Sequence, residues 1–285
     1  MTTPVVLGPS PRATGLAGLV ARSGGQAQGV VAAILPPVVF GAVFLALWEL
    51  AVKVFDWKPY FLSPPSKIAG AFFGNVGLIW DATFVSGQNA FVGLLVGAVL
   101  GVAVSFLLVR FRLLDEMVNP LAIALNAIPI VVLVAVFNNQ FASTSEVPRR
   151  LMVTLIVYFV VLVNVAKGLR DVQSTHVELM RSYAASPLEI LRKVRIPNAV
   201  PYLFTALKIA APGSVITAFV AEYFGGNQNG LGYRITSNLS NSKNAVAWAY
   251  VLAACLLGLA FYLISIAVEN LTNQQRGTSP RGNTS

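Results

Sequence analysis

The sequence predicts an all-α membrane protein with six transmembrane helices. Of its 285 residues, 56% are hydrophobic and 11% are charged, whereas soluble domains usually carry about 25% charged residues. A membrane-spanning helix needs roughly 20 apolar residues, so this hydrophobic content fills about six spans and leaves connecting loops. The single cysteine, Cys255, lies in an apolar run, which excludes an intrachain disulfide and a zinc cluster.

Residues 1–29 are rich in Gly, Ala, Ser, Pro and Thr, and we interpret them as a flexible cytoplasmic tail. A signal peptide is the competing interpretation, but the apolar run that follows is too long for one. Residues 30–268 form the predicted six-helix transmembrane domain, and residues 269–285 form a C-terminal cytoplasmic tail. The six predicted spans are approximately Val30–Val54, Phe84–Val109, Met117–Phe137, Leu151–Ala166, Ala199–Ala221 and Val246–Val268.

Between the first two spans, aromatic residues flank a turn-forming Ser-Pro-Pro-Ser run at residues 63–66. Aromatic side chains of this kind favour the headgroup region of a membrane. We therefore expect an interfacial segment on the outer face. The aromatic residues are Trp57, Tyr60, Phe61 and Trp80.

Small residues recur at every fourth position of the second span, at Gly93, Gly97, Gly101 and Ser105. Such a stripe lets two helices approach closely in lipid, where packing drives helix association. The stripe predicts a helix-packing face, and a moving helix contact is the alternative use of it.

The placement of Lys and Arg predicts that both termini are cytoplasmic, because short cytoplasmic loops retain positive charge. More basic residues fall on the predicted cytoplasmic side, and the pair Arg149 and Arg150 is the clearest exception. The net charge of +9 is spread along the chain, which argues against nucleic-acid binding. The basic residues on the predicted outer side are Lys53, Lys58, Lys67, Arg149, Arg150, Arg234 and Lys243.

The longest cytoplasmic loop, residues 167–198, contains two successive helix-start signatures. Thr175 with Glu178 fits a capping box, and Ser186 with Glu189 fits another, with Pro187 at the first helical position. The spacing predicts one short helix that ends near Ala185 and a second that ends before Pro197. So much specified structure in a loop indicates a docking surface.

The same loop carries a family resemblance through the spacing of Glu178-Leu179-Met180, Ala184 and Val194-Arg195-Ile196-Pro197. It resembles the cytoplasmic loop of ABC-transporter permeases of the binding-protein-dependent importer class. The family pattern is E-A-A, three residues, G, nine residues and I-x-L-P. Leu179 and Met180 stand in place of the two alanines, and Ala184 stands in place of the glycine that permits a tight turn. Because alanine prefers right-handed backbone, we expect Ser186-Pro187 to shape the corner instead.

Further stretches resemble the nitrate, sulfonate, taurine and bicarbonate subfamily of these importers. The resemblance covers about residues 47–268, and it implies a type I ABC importer permease fold. Asn126 stands where this subfamily often has arginine. The matching stretches are Trp48-Glu49, residues 61–66, Asn119-Pro120, residues 127–129, residues 220–222 and residues 229–233.

The resemblance implies a permease subunit without catalytic residues, located in the bacterial plasma membrane. Its implied partners are a second copy of the chain, two ABC ATPase subunits and an extracytoplasmic solute-binding protein. The sequence has no G-x-x-x-x-G-K-[ST] phosphate loop, so we expect ATP and Mg²⁺ to bind the ATPase chains and no cofactor or metal to bind here. An interfacial hairpin on anionic lipid is the alternative role of the loop.

Polar residues within predicted spans are costly, and they are therefore candidates for a translocation path. Lys208 either lines this path or serves as a structural pair or a snorkelling side chain. We interpret Glu49 and Glu222 as interfacial, and His176, the only histidine, as part of a capped helix. The path candidates are Asn126, Asn164, Lys208, Ser214 and Thr217.

The favoured function is import of a small solute, either a small anion or a neutral heteroaromatic compound. A stand-alone secondary transporter is the alternative, although we find no internal repeat of the kind such transporters usually contain. A membrane-embedded enzyme would need a cluster of His, Asp or Glu at membrane depth, which the sequence does not offer.

Overall fold

The structure is a computed structural model that describes residues 17–58, 61–111, 128–142, 144–225 and 228–274. All regular secondary structure within these ranges is helical, in agreement with the predicted fold class. The chain divides into two compact units, Met1–Lys58 and Pro59–Ser285.

The first unit contains one long helix, α1, at Ala17–Val54. Its apolar part, Leu35–Val54, is long enough to cross a membrane. The helix begins at Ala17, before the predicted start of the first span near Val30, so it includes residues 17–29 of the predicted tail. Extending a helix that has already formed costs far less than nucleating one, so the Ala- and Gln-containing residues before the apolar run continue it.

The second unit contains the remaining helices. The described residues of both units contain five helical stretches, including the one in α1, that are long and apolar enough to span a membrane. The predicted third span lies largely outside the described residues, so the number of six spans stays a prediction. The elements are α2 Pro65–Gly74, α3 Val76–Arg110, α4 Ile130–Gln140, α5 Val147–Arg170, α6 Ser174–Ser182, α7 Pro187–Ile190, the π-helical turn Leu191–Arg195, α8 Ile196–Tyr223, α9 Leu231–Ser240 and α10 Asn244–Gln274.

Helices α3 and α5 pack in parallel along the glycine stripe of α3. A Cβ atom at Gly97 would lie 2.6 Å from the carbonyl oxygen of Thr154, and one at Gly101 would lie 2.9 Å from that of Tyr158. Successive glycines of α3 meet successive turns of α5 in the same order, so the two helices run in the same direction. The last turn of α3 and the first turn of α5 therefore lie at opposite ends of the packed pair. Backbones this close require residues without side chains.

The core of the second unit lies among α3, α5 and α8, and a smaller cluster joins α3, α9 and α10. We call the end where α5 finishes and α8 begins the hairpin end, and the opposite end the far end. The core therefore packs the same three helices against one another. The central side chains are Ala90, Val153, Val157, Val161, Val165, Ala206, Ala210 and Val215.

Candidate functional site

The predicted docking loop forms a helical hairpin, which we call the docking hairpin, at residues 171–195. The capping box of Ser186 and Glu189 is confirmed: the Glu189 amide donates to Ser186 Oγ at 3.3 Å, and the Ser186 amide donates to Glu189 Oε2 at 2.8 Å. The capping box predicted at Thr175 is wrong. A capping residue must precede the first helical residue, but helix α6 already begins at Ser174. Thr175 therefore lies within the first turn of the helix and cannot cap it.

The corner of the docking hairpin is formed at Ala184. Helix α6 ends at Ser182, and Ala184 has a φ of 55°, in the left-handed region. The Ala184 amide donates to the Arg181 carbonyl at 2.9 Å, and the Ala185 amide donates to the Met180 carbonyl at 3.0 Å. These two bonds make a Schellman motif, which usually has glycine at the left-handed position. The expectation that Ser186-Pro187 would replace Ala184 in shaping the corner is therefore wrong.

Ala184 keeps the backbone conformation that glycine would supply, although an L-residue pays roughly 1 kcal/mol or more for it. The two hydrogen bonds of the motif hold the residue there, because they satisfy carbonyl groups at the end of α6 that would otherwise have no partner. Alanine in place of glycine at residue 184 thus keeps the left-handed geometry of the corner.

The docking hairpin exposes large apolar side chains. Leu179 is 52% exposed, Tyr183 is 77% exposed and Leu188 is 61% exposed. Glu178 is also exposed, whereas Val177 and Met180 are half-buried. Exposed apolar side chains on one structured element mark a contact surface for a protein or a membrane.

A cavity of about 660 Å³, lined by both polar and apolar side chains, lies between α6 and the π-helical turn. Asp171, Gln173 and His176 line one part of it, and Lys193 and Asn198 line another. His176 thus lies beside this cavity, in the first turn of α6. No group of three or more His, Cys, Asp or Glu side chains that could hold a metal ion occurs in the described part of the chain.

The base of the docking hairpin is tied together where α5 ends and α8 begins. Asn198 Nδ2 donates to the carbonyl oxygens of Gly168 and Asp171, both at 2.8 Å. The Tyr202 hydroxyl donates to Asp171 Oδ2, and a Cβ atom at Gly168 would lie 2.7 Å from the Tyr202 ring. The Asn198 side chain satisfies carbonyl groups at the end of α5 that lack an intrahelical partner. These contacts therefore hold the end of α5 and the start of α8 together at the base of the hairpin.

The second arm of the docking hairpin continues directly into α8. The prediction that it ends before Pro197 is wrong, because helix runs without a break from Pro187 to Tyr223. Proline has no amide hydrogen, and its ring crowds the carbonyl four residues earlier. At the junction the Ile196 amide donates to Leu191, five residues back, and this wider turn accommodates Pro197. Val194 and Ile196 are half-buried at the junction, and Pro197 is exposed.

At the far end, buried polar side chains join several helices. Glu222 is 1% exposed, and its Oε2 accepts hydrogen bonds from Ser86 Oγ at 2.6 Å and from the Gly232 amide at 3.1 Å. Ser86 Oγ also accepts from the Leu231 amide at 2.9 Å. The interpretation of Glu222 as an interfacial residue is therefore wrong, because the start of α9 covers it.

Glu146 and Arg149 extend these contacts to the start of α5. Arg149 is fully buried, and its Nη1 donates to Glu146 Oε2 at 2.8 Å and to Asn229 Oδ1 at 2.9 Å. Asn89 donates to Glu146 Oε2 at 2.8 Å and accepts from Arg150 Nε at 3.0 Å. We call these residues, with Ser86 and Glu222, the far-end network. Arg149 and Arg150 thus have partners within the chain, and the side of the membrane on which they lie stays a prediction.

Lys208 forms an ion pair with Glu269 of α10, with 2.8 Å between Nζ and Oε2. The two side chains are 29% and 20% exposed, respectively. Glu269 is therefore the partner that the interpretation of Lys208 as a structural pair requires. Sequence reasoning missed Glu269 because it lies one residue beyond the predicted end of the sixth span.

The other path candidates bond mainly to their own helices. Asn164 donates to the Val160 carbonyl, Ser214 to that of Ala211, and Thr217 to that of Gly213. Ser214 and Thr217 are buried. Such bonds satisfy the side chains without a solute, so a path role for these residues stays a prediction. Asn126 lies outside the described residues.

A family model described as "Binding-protein-dependent transport system inner membrane component" matches residues 93–275. The chain is 28% identical over 233 residues to the "Probable ABC transporter permease protein" of Haemophilus influenzae, covering 80% of this chain and 93% of that protein. It is 26% identical over 238 residues to the "Formylaminopyrimidine transport permease protein ThiX" of Halalkalibacterium halodurans, covering 83% and 94%. It is 24% identical over 244 residues to the "Nitrate import permease protein NrtB" of Synechococcus elongatus, covering 79% and 84%.

Among solved structures, the chain resembles one described as inward-facing conformations of the MetNI methionine ABC transporter. The TM-score is 0.60 at 22% sequence identity, covering 70% of this chain and 97% of that chain. At this identity the likeness concerns the fold alone, and it agrees with the predicted fold of a type I importer permease.

Proposed function

Since the chain belongs to the family of binding-protein-dependent transport system inner membrane components, the permeases of ABC importers, we propose that it carries a small solute across the bacterial plasma membrane. The solute arrives on an external binding protein, and a second copy of the chain completes the pathway. Two ATPase chains bind ATP and Mg²⁺ on the cytoplasmic side. Both termini and the docking hairpin lie on that same side.

The docking hairpin is the observation that carries this proposal. Its corner and its second arm are fixed by backbone and capping hydrogen bonds, and its base is tied to α5 and α8 through Asn198 and Tyr202. A surface held in this way transmits a rigid-body displacement, which a flexible tether would absorb. The exposed Leu179, Tyr183 and Leu188 supply the apolar contact that an ATPase groove buries.

The second arm supplies the mechanical connection to the membrane. Helix runs from Pro187 to Tyr223 over 37 residues, which at 1.5 Å per residue is about 55 Å. This length exceeds the roughly 30 Å hydrocarbon thickness of a membrane. An ATPase that moves the docking hairpin therefore moves α8, and with it the helices packed on α8.

The relatives and Lys208 support a choice of solute class. One relative is named for formylaminopyrimidine and another for nitrate, which keeps a heteroaromatic compound and a small anion as the two candidates. The ion pair of Lys208 with Glu269 neutralises the lysine charge, and this favours the uncharged heteroaromatic class. Binding of a pyrimidine and of nitrate to the partner binding protein separates the two, and tight nitrate binding would overturn the preference.

The docking role is tested with Leu179→Glu, which places a charge on the exposed apolar surface of the docking hairpin. We expect the variant to reach the membrane at normal yield but to lose most of the co-purifying ATPase. Leu239→Glu is the matched control, because Leu239 is 42% exposed and lies at the far end on α9. Equal ATPase recovery with the two variants would overturn the docking role.

A further inference from the structure

Glu222 lies at the far end of the helix that begins in the docking hairpin. Its carboxylate joins α8 to two other elements: Ser86 of α3 and the amide of Gly232 in the first turn of α9. Ser86 closes the triangle, because its oxygen accepts from the Leu231 amide while its hydroxyl donates to Glu222. One carboxylate thus fixes the start of α9 relative to both α3 and α8.

The backbone before and within α9 is shaped to admit this carboxylate. A Cβ atom at Gly230 would overlap the Glu222 carboxylate, and one at Gly232 would overlap the Phe219 carbonyl of α8. Side chains at these two positions would force α9 away from α8. The start of α9 is therefore closely fitted to α8.

The rest of the far-end network extends the same attachment to α5. Asn229, next to Gly230, donates to Glu146 Oε1 at 2.8 Å and accepts from Arg149. Glu146 and Arg149 lie at the start of α5, whose other end carries the docking hairpin. Helices α5 and α8, which flank the hairpin, therefore both hold the chain at the start of α9 through their far ends.

Apolar packing alone would hold α9 near α8, and burying a carboxylate is costly. The hydrogen bonds add direction, because they fix the orientation of α9 as well as its proximity. Since α8 is continuous with the docking hairpin, a displacement of the hairpin changes the position of Glu222. The hydrogen bonds then carry this change to α9.

We propose that Glu222 is a positioning residue that couples α9 to the docking hairpin, so that the binding protein on the outer face and the ATPase on the cytoplasmic face respond to each other. This inference rests on the proposed function, which places α9 on the outer face. The binding protein contacts the surface that α9 presents, and Glu222 acts through that surface without touching the solute.

The experiment uses the chain assembled with its ATPase and its loaded binding protein in lipid nanodiscs. Glu222→Ala removes the acceptor, Glu222→Gln keeps the side-chain size and one oxygen acceptor, and Ser86→Ala removes only the bridging hydroxyl. The matched control is Asp81→Asn, which removes an exposed carboxylate from the same end of α3. The measurements are complex yield, basal ATPase rate, and the ATPase stimulation by binding protein with its half-maximal concentration.

We expect Glu222→Ala to reduce the binding-protein stimulation by about 5-fold or more, a usual size for coupling between sites. Glu222→Gln should lose less, Ser86→Ala should shift in the same direction, and Asp81→Asn should match the native chain. Yield and basal ATPase rate should stay normal in all of them. Unchanged stimulation in Glu222→Ala at normal yield would overturn the proposal.

Loss of yield in Glu222→Ala, with normal stimulation in Ser86→Ala and Glu222→Gln, would also overturn it, because the network would then serve folding alone. Failure of the proposed function has a different signature: no ATPase would co-purify with the native chain at all. The two failures are therefore distinguishable in the same preparation.

Discussion

Replacing Gly97 by alanine should weaken the contact between α3 and α5. The added Cβ atom would lie 2.6 Å from the Thr154 carbonyl oxygen and 2.8 Å from Val157 Cβ, against an ordinary contact distance of at least 3.4 Å. The helices must therefore separate by 0.6 to 0.8 Å, the differences between 3.4 and 2.8 Å and between 3.4 and 2.6 Å. The carbonyl is backbone, so it cannot rotate away.

Overpacking of this kind costs about 1–3 kcal/mol. Alanine also gains up to about 1 kcal/mol over glycine in helix propensity, so a single measurement would mix the two effects. Gly87→Ala on the same helix supplies the control, because its Cβ would meet only Leu257 Cδ1 at 3.5 Å and Cδ2 at 3.9 Å. The propensity gain is common to both variants, and their difference isolates the overpacking cost.

The assay is thermal unfolding of the purified chain in detergent, with all variants in one buffer. Gly97→Ala should unfold at a lower temperature than Gly87→Ala, by an amount equivalent to about 1–3 kcal/mol. Equal unfolding temperatures would refute the close parallel packing of α3 on α5.

Three further predictions concern the docking hairpin and the ion pair of α8. Ser186→Ala should lower the stability of α7 by about 1 kcal/mol through loss of its cap, measured as faster hydrogen exchange of the α7 amides; unchanged exchange would count against the cap. Ala184→Gly should preserve ATPase co-purification while Ala184→Val reduces it, because a β-branched residue at positive φ is strained; equal recovery would argue against the left-handed corner. Lys208→Met should destabilise the complex by about 1–2 kcal/mol, less than a fully buried pair would lose because both side chains are partly exposed, and adding Glu269→Leu should restore the yield. Low solute uptake at normal yield in the double variant would assign Lys208 to the path.

The sequence predicted the elements that depend on local signals. Apolar runs predicted the long helices, because each span is determined by its own composition. Ser186 and Glu189 are three residues apart, and their capping box formed as predicted. Thr175 does not cap α6, because the helix begins at Ser174 with Gln173 at the N-cap position.

The junction at Pro197 was predicted incorrectly for a different reason. A proline usually ends a helix, because it lacks an amide hydrogen and crowds the preceding turn. The wider π-helical turn at Leu191–Arg195 accommodates the proline, and the helix continues into α8. A similar compensation keeps Ala184 in the left-handed region, where two backbone hydrogen bonds hold it. Rules for single residues do not contain these compensations.

The far-end network could not be predicted, because its members meet only in three dimensions. Ser86 and Glu222 are 136 residues apart in the sequence, and no local pattern pairs them. One signal was present: Ser86 and Asn89 place two polar groups on one face of an apolar helix, where an unpaired polar group is costly. That signal identifies a residue in need of a partner without naming the partner.

The most direct test of the central claim is solute uptake by proteoliposomes that contain the chain, its ATPase and the external binding protein. The proposed function predicts uptake only when all three proteins and ATP are present, and loss of uptake when Leu179→Glu replaces the native chain. Uptake by the chain alone, driven by an ion gradient and independent of ATP, would contradict the proposed function and would identify a secondary transporter.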